Sequence, residues 1–163
     1  MNGSRTRTVD FEDPAALLAA ARGKTGLEVL RELSSGKVPA APIQATLGFD
    51  LVEVRDGFAQ FQCTPGEHLF GPTGAVHGGV AATLLDSAMG AAVMTTLDAA
   101  SSYASANLNV HLTRRISLRT GRMVAEGWVV HRGSKLVTAE ARLNDAQGRL
   151  LAHGSATYSL NDR

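Results

Sequence analysis

The stretch "GPTGAVHGGVAATLLDSAMGAAVMTTL", Gly71 to Leu97, sets a histidine (His77), a glycine pair (Gly78-Gly79) and one carboxylate (Asp86) among apolar residues. Read as a helix from about Gly78 to Leu97, it starts with unpaired backbone N–H groups at the positive end of the helix dipole. Glycine lets a ligand oxygen approach those groups closely. That suits an oxyanion developing on an attacked carbonyl, although the same pair also suits a tight turn that packs the helix start against a sheet. Asp86 has two readings as well. A carboxylate in apolar surroundings is costly unless hydrogen-bonded or functional, so it is either a capping or interface group or a catalytic one. His77 is either a general base or a residue that orders the loop.

Spacing adds a constraint. Asp86 follows Gly79 by seven residues, which puts it on the same helix face but roughly 10 Å further along the axis. A carbonyl carbon cannot be within ~3–3.5 Å of attack by Asp86, or by a water it holds, while its oxygen binds the N–H of Gly79 on that helix. If both act on one substrate, a second copy of the chain supplies one of them. The chemistry therefore predicts a homodimer with shared sites.

Other chemistries find little support. His68, His111, His131 and His153 show no metal-ligand spacing among themselves or with Cys63, so no metal is expected. There is no nucleophilic serine elbow and no phosphate-binding glycine loop. Cys63, the single cysteine, alternates with Phe61 in a strand-like run and reads as a core thiol; Trp128 reads as core too. The start "MNGSRTRTVDFEDP" lacks the apolar run of a secretory signal, which makes the cytoplasm the expected location. A central Asp would cost about 2.5–3.5 kcal/mol in a membrane span, and no basic residue flanks the apolar stretch, so a helix buried in protein is expected and no membrane. The net charge of +1 argues against nucleic acid. Its placement is uneven, with no Lys or Arg between Arg55 and Arg114, then eight basic residues against three acidic ones from Arg114 to Arg149. That segment is either a solvated strand surface or a site for an anionic ligand such as a nucleotide phosphate.

The elements that must position these residues can be read along the chain. "DPAALLAAARGKTGLEVLRELSSGK" predicts helix, capped by Asp13, started by Pro14 and broken in two around Gly23 and Gly26. "FDLVEVRDGFAQFQCTP" predicts a hairpin turning at Asp56-Gly57. A turn-rich loop leads into the long apolar helix, and four strands follow. In "YASANLNVHLT" strict alternation puts Ala104, Ala106, Leu108, Val110 and Leu112 on one face and Ser105, Asn107, Asn109, His111 and Thr113 on the other. In the last strand Leu150, Ala152, Ala156, Tyr158 and Leu160 share a face. All five prolines lie at or before Pro72, so none interrupts the later strands. A helix apolar all round needs cover on most sides, which predicts an α+β domain whose sheet wraps the helix.

"VHGGVAATLLDSAMG" resembles the His-Gly-Gly motif of PaaI-type acyl-CoA thioesterases of the hotdog-fold superfamily, with an acidic residue nine after the histidine. "ASANLNVHLTRR" and "VVHRGSKLVTAEARLNDAQGRLLAHGSATY" resemble that family's strands. The resemblance implies an α+β hotdog fold, a curved antiparallel β-sheet around a long central helix, in residues 47–163. Residues 1–46 would then be an N-terminal helical extension that could cover the acyl end of the site. It implies homodimers, and tetramers as dimers of dimers. By resemblance, Asp86 is the catalytic carboxylate, as general base or nucleophile, the Gly79 N–H with that of Gly78 polarises the thioester carbonyl, and Ser105 helps orient the attacking water. Arg114, Arg132, Gly133, Ser134 and Lys135 become candidates to hold CoA, which is part of the substrate, so no separate cofactor is implied. Where many relatives carry an Asn or Gln about six residues before the His, this chain has Gly71, and Thr73 or a backbone group would have to substitute. Two other classes stay open: a non-catalytic acyl-CoA binding or sensing module, and a hotdog dehydratase.

Overall fold

The computed structural model describes residues 3–162. Three short helices come first: α1 (Pro14–Ala20), α2 (Gly26–Ser34) and α3 (Pro42–Leu47). The Asp13 side chain caps α1 by accepting from the Ala15 N–H. Gly23, at φ 70°, makes the predicted break. The Thr25 hydroxyl and the Glu28 carboxylate close a capping box on α2. Gly26 then docks α2 backbone to backbone on the end of the long helix. Its N–H donates to the Leu97 carbonyl at 3.0 Å, and a side chain there would collide with the Met94 carbonyl.

The hairpin β1 (Phe49–Arg55) and β2 (Phe58–Cys63) turns at Asp56-Gly57 as expected. The long helix, α4, runs from Gly78 to Met94, three residues short of the predicted end, where the Thr95 hydroxyl bonds back to the Ala92 carbonyl. The hairpin's Gly57 N–H donates to that same hydroxyl at 2.8 Å. Four strands follow: β3 (Ser101–Leu112), β4 (Met123–Arg132), β5 (Leu136–Asp145) and β6 (Leu150–Asp162). All pairings are antiparallel, in one six-stranded sheet of order β1-β2-β4-β5-β6-β3.

α4 packs against all six strands. Val80, Ala81, Leu84, Leu85 and every residue from Ala88 to Val93 are buried. Apart from the end residues Gly78 and Met94, a stripe along Gly79, Ala82, Thr83, Asp86 and Ser87 stays open. The sheet therefore curls round the helix, and it does so at close range. A Cβ on Gly127 of β4 would lie 2.4 Å from the Ala88 backbone carbon, so glycine is required at that crossing. Phe49, Leu84, Met89, Met123, Leu143 and Tyr158 form the centre of the core, which Leu30 of α2 joins.

Three expectations are corrected. The alternation in β3 is not strict, because a β-bulge between Ser105 and Asn107 leaves Ala106 without a cross-strand partner. Up to the bulge Tyr103 and Ser105 share the helix-side face with their partners Leu160 and Tyr158. After it, Leu108, Val110 and Leu112 take that face. In β6 a register shift beside Asn144 lets Leu151 bury together with Ala152, while Leu150 is half-buried. Trp128 is not core. It is half-buried on the outer sheet face, in register with Glu140, with the Arg142 guanidinium 6.0 Å from its ring.

Candidate active site

At the head of α4 the loop and helix are fastened together by His77. Its backbone N–H donates to the Leu69 carbonyl at 2.8 Å. Its Nδ1 accepts from the Gly79 N–H at 3.0 Å, making His77 the N-cap of the helix. Of the two readings of this histidine, the geometry displays the ordering one, since the Nδ1 lone pair is already engaged. The Val80 N–H is taken by the His77 carbonyl, whereas the Gly78 N–H finds no acceptor among the described residues. The free donor at the helix start is thus Gly78, and Gly79 becomes available only if the His77 ring turns aside.

Gly71 belongs to the same unit. A Cβ at this position would lie 3.2 Å from the His77 Cδ2, so a larger residue would press on the capping ring. Thr73, the suggested substitute, is held through its carbonyl, which accepts from the Arg115 Nη2 at 3.2 Å.

Two turns along, Asp86 sits on the open stripe of α4, half-buried. The Tyr158 hydroxyl lies 3.5 Å from its Oδ1 and 3.4 Å from its backbone carbonyl. One long contact, shared with a carbonyl, orients the carboxylate without neutralising it. Burial raises the Asp86 carboxyl above the usual Asp range, and the tyrosine contact only partly offsets this. Tyr103 packs edge-on against Tyr158 with ring centroids 5.5 Å apart. Burial, reinforced by the Asp86 charge, pushes its hydroxyl up to about 12, and the same causes raise Tyr158. Neither tyrosine was singled out for chemistry from the sequence. The only signal was Tyr158 on the apolar face of the last strand. Ser105, opposite Tyr158 in register, lies on Asp86's side of the sheet because of the bulge in β3.

The basic candidates fall into two groups. Arg132, Gly133, Ser134 and Lys135 line one cleft of about 910 Å³ with Ser101, Ser159 and Asn161. The turn is held by Gly133 N–H donating to the Leu136 carbonyl and Leu160 N–H to the Lys135 carbonyl. Arg114 lines a different cleft of about 260 Å³ beside Gly78 and Leu112, together with Arg115. Among the described residues no cluster of His, Cys, Asp or Glu could hold a metal ion, and no helix is long and apolar enough to cross a membrane. Cys63 is buried, and burial pushes its thiol up.

Comparison with known proteins agrees with this architecture. Residues 73–152 match the family model described as Thioesterase superfamily. A solved protein from the thioesterase superfamily is 28% identical, with a TM-score of 0.67 over 82% of this chain and 97% of its own. A thioesterase family protein from Silicibacter pomeroyi is 22% identical, with a TM-score of 0.73 over 82% and 99%. The E. coli PaaI protein from the phenylacetic acid degradation operon is 16% identical, with a TM-score of 0.71 over 83% and 95%. No curated protein matches the sequence.

Two measurements check the site's architecture. His77→Ala should lose about 1 kcal/mol of stability to urea, and His77→Asn, which restores a capping side chain, only a few tenths. Asp86→Asn should be more stable than the wild type at pH 7. A carboxyl raised in the folded state binds its proton more tightly there than when unfolded, so stability falls as pH climbs from the unfolded Asp value through the folded one. The advantage of the Asn variant should accordingly vanish in acid, below the ordinary Asp range.

Proposed function

With residues 73–152 matching the thioesterase superfamily and the chain folded as a hotdog, we propose that this protein hydrolyses acyl-CoA thioesters to the free acid and CoA. Thioester hydrolysis in general is what the superfamily match supports. The observation that carries the finer reading is Asp86, a half-buried, weakly bonded carboxylate with a raised pKa on the helix whose first N–H is free.

In this reading Asp86 takes a proton from a water, whose oxygen attacks the thioester carbonyl carbon. The carbonyl oxygen gains the negative charge and is received by the Gly78 N–H, joined by that of Gly79 when His77 releases it. Collapse of this intermediate breaks the C–S bond, and the CoA thiolate leaves and is protonated. Direct attack by Asp86, through an anhydride that water then cleaves, is the nucleophilic version of the same step. Ser105 helps to hold the water. Arg132, Gly133, Ser134 and Lys135 receive the CoA phosphates and pantetheine, with Arg114 contributing beside the helix start.

Because α4 is one regular helix, Gly78 and Asp86 are roughly 12 Å apart along its axis. The proposed site therefore pairs Gly78 of one protomer with Asp86 of another. Homodimerisation is supported by β3, which has a partner on one side only and exposes Leu108 and Leu112 on its helix-side face. A non-catalytic acyl-CoA binding module is the second reading, favoured by the engagement of the Gly79 N–H with His77.

The deciding measurement is release of free CoA from a panel of acyl-CoAs. Asp86→Ala and Asp86→Asn should each lose about 10²–10⁴ in rate. Equal rates in all three proteins would remove Asp86 from catalysis, and binding without release would favour the second reading. Shared sites make their own prediction. Gly78→Pro removes the N–H at the first helical position, where the backbone suits proline and the exposed Leu112 side chain must swing aside to admit its Cβ, and should be inactive alone, like Asp86→Asn. Refolding the two variants together in equal amounts should restore about a quarter of the wild-type sites, since half the dimers are mixed and each has one intact pair. No recovery would contradict the shared site.

A further inference from the structure

A further cavity, with Ser87 in its wall, is built largely by the N-terminal helices that precede the superfamily match. It has a volume of about 320 Å³, and its walls include Leu17 of α1, Leu30 and Leu33 of α2, and Ile43 of α3, closed below by Ala91 and Met94 of α4. Apart from Gln44, Ser87 and Tyr103, every lining residue is apolar. The Gln44 Oε1 is committed to the Ala41 N–H at 3.1 Å.

Two observations connect this chamber to the proposed chemistry. Ser87, the residue after Asp86, is in its wall, and Tyr103 forms another part of that wall while packing on the tyrosine that contacts Asp86. The roof is also incomplete as a protein core. Helix α1 reads PAALLAA, yet none of its residues is buried, Leu18 is 69% exposed and Ile43 on α3 is 46% exposed. These apolar side chains face a space that an apolar occupant would fill.

We infer that the N-terminal extension is the acyl-chain chamber of the enzyme and selects aliphatic acyl groups of medium length. This rests on the acyl-CoA reading above. The size follows from comparison, since a cavity of about 150 Å³ takes one benzene, so one about twice as large holds roughly ten aliphatic carbons. An aryl group carrying a hydroxyl fits less well, because apolar residues make up most of the wall and the Gln44 Oε1 is already engaged.

The test is calorimetric binding of S-alkyl-CoA thioethers of increasing length, which cannot be hydrolysed, alongside CoA release from the matching acyl-CoAs. Kd should fall about fourfold per added methylene, up to roughly ten carbons, and then level off. Ala91→Leu and Ala21→Leu each add bulk to the chamber's lining. Each should shorten the preferred chain by about two carbons and weaken decyl-CoA binding tenfold or more, with S-ethyl-CoA unchanged. Leu33→Ala should lengthen it. Length-independent binding, indifference to all three substitutions, or tighter binding of S-(4-hydroxybenzyl)-CoA than of any alkyl thioether would overturn the inference. Length-dependent binding without CoA release would sink the hydrolase reading and leave the chamber standing, and release without length dependence would do the reverse.

Discussion

Where β4 crosses it, α4 lies against the sheet backbone to backbone, and the rest of the molecule follows from that contact. Gly127 meets the backbone at Ala88, and the buried faces of the helix are rich in Ala and Gly. Small residues at that crossing let six strands close round one helix, while Leu84, Leu85 and Met89 fill the space beside it. The cost is that α4 has little freedom to rotate or slide. A residue on its open stripe is thereby fixed in azimuth, and Asp86 inherits its position from packing far more than from its one long bond to Tyr158.

That arrangement opposes stability to function. A carboxylate half-buried beside Tyr158 loses hydration without gaining a full set of donors, which raises its pKa and costs the fold free energy at neutral pH. The Tyr158 hydroxyl, itself pushed upward, stays protonated and can serve as a donor to Asp86. A better-satisfied carboxylate would be cheaper for the fold and a poorer proton acceptor. Partial burial with one long tyrosine contact therefore leaves Asp86 more basic than a fully hydrated or fully bonded carboxylate.

Much of this was legible in the sequence, and the parts that were not share a cause. The long helix, the Asp56-Gly57 hairpin, the four later strands and the broken N-terminal helix are written in local patterns of period and punctuation. The faces of individual strand residues are not. One unpaired residue at Ala106 reverses the orientation of everything beyond it, and bulges are placed by sheet curvature, which alternation does not encode. Ser105 shows the consequence: strict alternation grouped it with outward polar residues, whereas the bulge turns it to the face that carries Tyr158. Trp128 was misread for a related reason, since residue type suggests core while its strand position points it outward over Glu140 and beneath Arg142. The chamber was invisible because it arises where α1, α2 and α3 meet the hairpin and α4, a set of contacts with no sequence period.

His77 and Gly71 are best understood as one decision. A neutral imidazole that caps α4 through Nδ1 must lie over the start of the helix, and the Gly71 backbone is what it lies against. A side chain at residue 71 able to reach a substrate would press on the ring and work against the cap. In this chain the steric room goes to the cap, and the Gly78 N–H is left without an acceptor among the described residues. If that N–H receives a carbonyl oxygen as proposed, its polarisation rests on backbone donors, and those are as well placed as α4 is immobile. The absence of a side chain at residue 71 and the tight seating of α4 are then linked, because the proposed oxyanion site, with few donors, depends on those donors not moving.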